Sequence, residues 1–345
     1  MFADPDIRTG FRTGGRITAL EHVANRPIAH HVLDALASAG VLDVVVVAPP
    51  GLLSEVSRQL GPYPHALGLK PEYVVQERRP DISGALKAAA PLVGSAPCLL
   101  CLANGLLGEP LTPFLAHLDL GSPDLVLLVH HGAHPDEHLS CATKRLLRIA
   151  ELEPSRDALG MAGVCLFGEG VLGRVAEAQW SDEADLTQVA ERFAAAGGRL
   201  HVRLANAWRR YAGDPGDLLE LNRIALDRLE PGIHTRNTGT RIEGRVLIDE
   251  TAVVSLSAII GPTVIGPGAR ISDAYIGPYT SIGAGAHIEG AEIERSIISA
   301  GASITHVGGR LMASVVGEDA RIFRDFSLPR ALRLRVGDRT EVALC

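Results

Sequence analysis

The last third of the chain carries a short repeat that limits its possible folds more than any other feature. An α-helix cannot hold a period of five or six residues on one face, and the strands of a hairpin alternate by two. The repeat therefore predicts a parallel β-solenoid of triangular section, three hexapeptides per turn, with the aliphatic side chains inside and small residues at the corners. The repeated aliphatic positions are Ile242, Ile248, Val254, Ile260, Ile265, Ile271, Ile276, Ile282, Ile288, Ile293, Ile298 and Ile304, then Val316 and Ile322.

The limits of this repeat indicate a two-domain chain. The turn-rich sequence Glu230-Pro231-Gly232 comes before the repeat, so we predict domains at 1–231 and 232–345. The sequence THVGGRLMAS at 305–314 breaks the period, and we expect an irregular coil there.

Residues ahead of the boundary alternate strand and helix patterns. This alternation predicts an α/β domain with a mostly parallel sheet covered on both faces. Ligands of such sheets bind where the strands end, so we expect the functional site of the chain in this half. The predicted elements are a helix at 29–39 that stops at Gly40, strands at 41–48, 73–76, 98–103 and 125–129, and a helix at 83–92.

Composition excludes several classes of protein. Hydrophobic residues make up 46% and charged residues 21% of the 345 residues, which is not the composition of a disordered chain. No apolar run reaches the ~18 residues of a membrane span, and the first ten residues do not resemble a secretory signal. A net charge of −7 argues against a general nucleic-acid binder. Five scattered cysteines suit a reducing cytosol, so we expect a cytoplasmic protein.

Several segments carry a resemblance to a known family. They are HVANRPIAHHVLDALASAGVLDVVVV (22–47), VVQE (74–77), AGVCLF (162–167), DLLELNRIALDRLEP (217–231), the repeat, and LPRALRLRVGDRTEV (328–342). These segments resemble the sugar-1-phosphate nucleotidylyltransferases, specifically the long-form glucose-1-phosphate thymidylyltransferase group. The resemblance implies a Rossmann-like nucleotidyltransferase domain followed by a left-handed hexapeptide β-helix. It also implies a reaction in which a nucleoside triphosphate and a sugar 1-phosphate give a nucleotide sugar and pyrophosphate.

The family's glycine-rich loop, which holds the triphosphate on backbone amides, is poorly matched. Counted back without gaps, it falls on residues 3–13 (ADPDIRTGFRT), where only Arg8 matches the family arginine. Asp4 and Asp6 would repel a triphosphate, and the strand before the loop has no counterpart. We therefore expect an apolar slot in the sheet, filled by the first 20 residues or by a partner chain.

The charged groups of the family's chemistry are also changed. A lysine of the family falls on Thr18, and its Glu-Lys pair falls on Leu152-Glu153. The two aspartates that bind Mg²⁺ in the family fall on Asn104 and Tyr211. An asparagine lacks the charge that holds Mg²⁺, and Asp214, three residues after Tyr211, would replace the second aspartate only in a different register.

Some recognition positions persist. Gln76 matches the glutamine that reads the base in the family, although Asp81 stands where a glycine is usual. Glu183 and Asp185 resemble the acidic segment that holds sugar hydroxyls. Both could equally be polar residues at a helix start, where acidic side chains favour the helix dipole.

The sequence therefore leaves enzyme activity uncertain. The leading hypothesis is a protein of nucleotide-sugar metabolism that is inactive or weak and acts as a binding or regulatory paralogue. It would bind a nucleotide or nucleotide sugar and form a homo-oligomer or a complex with a catalytic paralogue, without nucleic acid or membrane. The alternative is an active enzyme with relocated contacts from Arg8, Arg12, Arg16 or Asp214, with Mg²⁺ as its only cofactor.

Other polar clusters have simpler interpretations. The segment HHGAHPDEH (130–138) contains four histidines, but Gly132 and Pro135 disfavour the helix that would align them, so a structural loop is favoured over a ligand contact or a metal site. Cys98 and Cys101 lie in an apolar strand and predict packing. Acyltransferases with a β-helix use a histidine between coils, which makes His287 and His306 candidates for a third function.

Overall fold

The computed structural model describes residues 17–76, 82–115, 124–131, 139, 159–178, 185–233 and 237–326. Within these ranges the chain forms two compact units. The α/β unit contains residues 17–20 and 28–210, and the β-helix unit contains residues 21–27 and 211–326.

Helices belong mainly to the α/β unit. A 3₁₀ turn at Thr18–Leu20 comes first. The α-helices are α1 (Ile28–Ser38), α2 (Leu53–Leu60), α3 (Tyr63–Ala66), α4 (Ile82–Val93), α5 (Thr112–Leu115), α6 (Val171–Glu177), α7 (Leu186–Ala195) and, in the β-helix unit, α8 (Pro215–Asp227). The helices predicted at 29–39 and 83–92 are confirmed as α1 and α4. Gly40 follows α1 with φ +81°, a left-handed conformation that ends helices and favours glycine.

The strands up to residue 210 are β1 (His22–Val23), β2 (Arg26–Pro27), β3 (Asp43–Ala48), β4 (Lys70–Val75), β5 (Cys98–Cys101), β6 (Gly105–Leu107), β7 (Asp124–His131), β8 (Leu159–Phe167), β9 (Arg199–Ala205) and β10 (Trp208–Arg210). The four predicted strands are confirmed as β3, β4, β5 and β7, with ends shifted by a few residues. The pattern did not predict β6, β9 or β10, because β6 and β10 have only three residues and β9 carries arginine and histidine between its apolar residues.

The described strands of the α/β unit fall into separate groups. β3 pairs with β4 in parallel, and a second sheet has the order β5-β8-β7-β9. β8 is antiparallel to both neighbours, whereas β9 is parallel to β7. Because β5 and β7 both oppose β8, they run in the same direction and end at the same edge of the sheet.

The repeat forms the β-helix, in which three parallel sheets enclose an aliphatic core. Val246 pairs with Thr263, and Thr263 with Thr280, so one coil takes 17 residues. The break predicted at 305–314 lengthens one corner, since Glu292 pairs with Arg310. The strands are β11 (Gly232–Ile233), β12 (Asn237–Thr238), β13 (Arg241–Glu243), β14 (Val246–Ile248), β15 (Val253–Ser255), β16 (Ala258–Ile260), β17 (Thr263–Ile265), β18 (Arg270–Ser272), β19 (Tyr275–Ile276), β20 (Thr280–Ile282), β21 (His287–Glu289), β22 (Glu292–Glu294), β23 (Ile297–Ile298), β24 (Ser303–Thr305), β25 (Arg310–Met312), β26 (Val315–Val316) and β27 (Arg321–Phe323).

One corner of the β-helix differs from the prediction of small residues. Five successive coils turn there through the left-handed region, at Gly239, Leu256, Asp273, Gly290 and His306. A side chain in this region costs about 1–2 kcal/mol. The coil geometry therefore imposes the turn even where the sequence does not supply glycine.

Helix α8 packs within the β-helix unit through the buried amide of Asn222. The Ala24 N–H, between β1 and β2, donates to Asn222 Oδ1 at 2.8 Å, and the Ser281 hydroxyl donates to the same atom at 2.6 Å. Asn222 Nδ2 donates to the Tyr279 carbonyl at 3.1 Å. One side chain thus joins the hairpin 22–27, helix α8 and the β-helix. Asn25 adds a second link, because its Nδ2 donates to the Ile282 carbonyl at 2.6 Å.

Candidate nucleotide-binding site

Gln76, the residue that matches the base-reading glutamine of the family, lies directly after β4. Its backbone N–H donates to the Ala48 carbonyl at 3.0 Å, and its side chain is fully buried at 0% exposure. The side chain packs on Gly84 in the first turn of α4, where an added Cβ would stand 2.6 Å from Gln76 Nε2. A strand end and a glycine together therefore fix the position of this amide.

Asn104 lies three residues after β5 and is also fully buried, at 0% exposure. Leu102 N–H donates to the Gly163 carbonyl at 2.8 Å, which extends the pairing of β5 with β8 toward Asn104. His130, near the end of β7, pairs with Gly160 of β8. Asn104 and His130 thus occur at the same edge of the sheet, the edge at which parallel strands end and ligands usually bind.

The position matched to the second metal aspartate belongs to the β-helix unit. Tyr211 is buried there, and a phenol is a poor ligand for Mg²⁺. Asp214 caps α8, because its Oδ1 accepts the Gly216 N–H at 2.7 Å. Asp217 in the first turn also accepts a backbone bond, from Ala212 N–H at 3.3 Å. Both carboxylates therefore accept a hydrogen bond from a backbone N–H at the start of α8.

The acidic pair predicted to hold a sugar is described only in part. Asp185 caps α7, with Oδ1 accepting the Gln188 N–H at 2.8 Å. This hydrogen bond caps the start of the helix, which is the role that the sequence analysis gave as the alternative to sugar binding. Glu183 lies outside the described residues, as do Arg8, Arg12, Arg16, Asp81, Leu152-Glu153 and residues 132–138 of the histidine segment. Thr18 is described and lies buried in the 3₁₀ turn.

The remaining candidates have the following surroundings. His130 is buried, with Nδ1 3.1 Å from the His131 carbonyl. Burial raises the pKa of the Cys98 thiol to about 11 and that of Cys101 to about 12, which fits the predicted packing role. His287 and His306 are half-exposed on neighbouring coils, with Nε2 atoms 3.5 and 3.8 Å from the two carboxylate oxygens of Glu289.

Comparison with characterised proteins identifies the family. Glucose-1-phosphate thymidylyltransferase of Streptomyces antibioticus is 30% identical over 93% of this chain and 92% of its own length. The enzyme of the same name from Streptomyces griseus is 30% identical over 96% of this chain and 97% of its own length. The chain belongs to the sugar-1-phosphate nucleotidyltransferase family. No model of a known protein family matches the chain.

A solved structure agrees with this fold. A structure from Bacillus anthracis that is described as a glucose-1-phosphate thymidylyltransferase gives a TM-score of 0.55 at 17% identity, and covers 67% of this chain and 96% of its own. At that identity the likeness concerns the fold alone, and it agrees with the nucleotidyltransferase-type unit. No helix in the described ranges is long and apolar enough to span a membrane.

The Mg²⁺ implied by this family does not fit the residues that the structure describes. Asn104 offers a neutral amide, Tyr211 a buried phenol, and the Asp214 carboxylate bonds its own helix. Among the described residues, no group of three or more His, Cys, Asp or Glu side chains could hold a metal ion.

Sequence reasoning missed two residues of this region. Gly84 was not recognised, because its importance comes from its contact with Gln76 and not from its neighbours in sequence. The capping role of Asp214 could have been inferred, since Asp-Pro-Gly-Asp is a frequent start of a helix.

Proposed function

We propose that this family member binds a nucleotide or a nucleotide sugar and turns it over weakly or not at all. The observation that carries the proposal is Asn104, a neutral amide fully buried at the strand-end position that resembles the family's metal aspartate. A carboxylate at this position would attract Mg²⁺, whereas an amide supplies an oxygen without the charge.

The second metal position supports the same proposal. The alternative enzyme with relocated contacts needs a free carboxylate near Tyr211, and Asp214 is the candidate. The 2.7 Å bond from the Gly216 N–H to Asp214 Oδ1 occupies part of that carboxylate. Breaking this cap to free the Asp214 carboxylate would lower the stability of the protein by about 0.5–2 kcal/mol.

The proposed biological role is a binding or regulatory one in nucleotide-sugar metabolism, in the cytoplasm, as a homo-oligomer or together with a catalytic paralogue. Gln76 would contact the base, and Glu183 and Asp185 would contact the sugar. The fixed position of the Gln76 amide on Gly84 supports its part of this assignment.

Pyrophosphate release tests the proposal. The purified chain is incubated with Mg²⁺, glucose 1-phosphate and each of the four common NTPs or dTTP, and Asn104→Ala gives the background. We expect no release above this background. Turnover that is present in the unchanged chain and lost in Asn104→Ala would contradict the proposal. The Asn104→Asp variant asks in addition whether one carboxylate restores turnover.

Nucleotide binding is tested separately with Gly84→Ala. The added Cβ would displace the amide end of the Gln76 side chain, so we expect about tenfold weaker nucleotide binding by calorimetry, about 1.4 kcal/mol. Urea unfolding of the same variant measures its stability, since alanine is the better helix former by about 1 kcal/mol but its Cβ would also lie 3.2 Å from Gln76 Cδ and Cγ.

The matched control is Gly173→Ala in α6, where an added Cβ meets no atom within 4 Å. This variant should keep the nucleotide affinity of the unchanged chain. Equal affinities of the Gly84→Ala and Gly173→Ala variants would remove Gln76 from the binding site.

A further inference from the structure

Strand β10 ends beside Asn104. It pairs antiparallel with β6, and its last residue, Arg210, stands opposite Gly105, which directly follows Asn104. Paired Cα atoms of antiparallel strands lie about 4.5–5.5 Å apart, and the next Cα along a chain is about 3.8 Å away. The Cα atoms of Arg210 and Asn104, both in the α/β unit, therefore lie within about 9 Å of each other.

Arg210 shares a face of β10 with the buried indole of Trp208, because side chains two residues apart in a strand point to the same side. A Cβ added at Gly105 or at Gly163 of β8 would stand 2.4 or 2.6 Å from carbon atoms of this indole. Two glycines thus give the indole its space, and the face that carries Trp208 and Arg210 is turned toward β8. Arg210 is only half-buried, so part of its surface is accessible to a ligand.

The chemistry of this pair of positions suits a phosphate group. A carboxylate at position 104 would repel the phosphates of a nucleotide unless a metal ion lay between them. Asn104 is neutral, and its amide can donate a hydrogen bond to an oxygen. Arg210 carries a permanent positive charge and a planar set of N–H donors that match phosphate oxygens in pairs. Together the two residues offer an amide and a guanidinium to a phosphate.

We infer that Arg210 binds the phosphate groups of the nucleotide directly, and that the chain therefore binds nucleotides without a metal ion. The inference rests on the proposed function and adds to it the residue that holds the phosphates. Its starting point is the misfit of Mg²⁺, for which the described residues offer no group of three or more ligands. The charge of Arg210 also opposes a divalent cation at the same place, since like charges repel.

Arg209 provides a matched control. It is the neighbouring residue of the same strand, is also half-buried, and stands opposite Leu106. Because side chains alternate along a strand, Arg209 projects from the face opposite to that of Trp208 and Arg210. The inference therefore assigns phosphate binding to Arg210 and not to Arg209.

The test measures binding of ADP, CDP, GDP, UDP and dTDP to the full chain, each beside its nucleoside, in Mg²⁺ and in EDTA. Calorimetry follows the diphosphates, and ligand-observed NMR follows the nucleosides. We expect the diphosphate that binds best to keep its Kd within about twofold in EDTA. Arg210→Gln should weaken its binding about tenfold, and Arg210→Lys, which keeps the charge but loses the paired donors, should weaken it less. Arg209→Gln should leave it unchanged.

The nucleosides separate phosphate binding from a structural role of Arg210. A nucleoside has no phosphate, so Arg210→Gln should leave its affinity unchanged. An equal loss of affinity for nucleoside and diphosphate would assign Arg210 a structural role and overturn the inference. Equal effects of Arg210→Gln and Arg209→Gln on the diphosphate would also overturn it.

Further outcomes distinguish this inference from the proposed function. Diphosphate binding that is lost in EDTA would contradict metal-free binding and leave nucleotide binding in place. Pyrophosphate release would contradict only the proposed lack of turnover. Absence of binding by all five diphosphates would overturn both proposals.

Discussion

The β-helix and the α/β unit fill their interiors in different ways. In the β-helix, Ile248, Ile265, Ile282 and Ile298 pair in register through four successive coils and are all buried. In the α/β unit, β3 and β5 face a cavity. A repeated strand receives its neighbours from the next coil, whereas a strand without a repeat depends on segments far away in the sequence. Local repetition thus gives a continuous core, and its absence leaves room for a ligand or a partner.

The largest effect is expected from truncating the aliphatic core. Ile288→Ala in β21 should destabilise the β-helix by about 3–4 kcal/mol, because neighbouring coils pack on both sides of this buried side chain. Leu86→Ala beside the cavity that β3 and β5 line should cost about 2 kcal/mol, since part of its surroundings is already empty.

Urea unfolding separates these two effects. Trp208 is buried in the α/β unit and no tryptophan follows it in the sequence, so its fluorescence follows the α/β unit, while circular dichroism follows both units. Val253→Ala, at a side chain that is 55% exposed, should change stability by less than about 0.5 kcal/mol. Equal losses of stability for Ile288→Ala and Leu86→Ala would show that the surroundings of Leu86 are as closely packed as the β-helix core.

The next effect concerns a buried asparagine in one unit and an exposed one in the other. Asn222→Ala removes three hydrogen bonds and leaves buried partners unsatisfied, so we expect a loss of about 2–3 kcal/mol and faster amide exchange at Ala24. Asn206→Ala in the α/β unit removes one side-chain bond in an exposed position, from Asn206 Nδ2 to Glu109 Oε2 at 2.9 Å, and keeps the bond from the Asn206 backbone N–H to Glu109 Oε1. It should cost less than about 1 kcal/mol. Equal losses would contradict the central role of Asn222.

The smallest effect is a pH dependence at α8. Burial opposes the charge of Glu220, but hydrogen bonds from Arg223 and Arg295 lower the pKa of this carboxyl below 4.5. A lowered folded pKa means that its stabilising contribution is complete above the unfolded pKa and is lost as the pH falls through the folded pKa. Glu220→Gln should therefore lower stability by about 1 kcal/mol at pH 7 and change it little near pH 3.

Urea midpoints at the two pH values measure this difference. The control is Glu55→Gln in α2 of the α/β unit, where hydrogen bonds from Arg58 and Gln59 lower the pKa of a carboxyl whose side chain is 43% exposed. The exposed pair should show a weaker pH dependence than Glu220. A larger pH dependence for Glu55→Gln than for Glu220→Gln would contradict this prediction.

The sequence was sufficient for elements whose signal is local. The period of five or six residues predicted the β-helix, and apolar runs predicted β3 and β5. Pairing between residues distant in sequence could not be predicted in this way. Asn222 illustrates this limit, because the segment 217–231 was similar to the family without any signal that one amide would reach both Ala24 and Ser281.

The candidate site shows the same limit. Asn104 and Tyr211 could be matched by position in the sequence, and their burial agrees with neither being a simple metal ligand. The contact of Gly84 with Gln76 could not be read from spacing, since it depends on how α4 returns over the end of β4. Residue identity predicts which chemistry is lost, and packing decides which side chains are held in place.

The hydrogen bond between Ala24 and Asn222 also has a consequence for protein synthesis. The two residues are 198 positions apart, and Asn25 and its partner Ile282 are 257 apart. At about 5–20 residues per second, a ribosome needs about 10–40 s to reach Asn222 after Ala24. During this interval the hairpin 22–27 has emerged early but lacks the amide that fixes it. The hairpin 22–27 therefore forms its hydrogen bond to Asn222 only after about two thirds of the protein has been made.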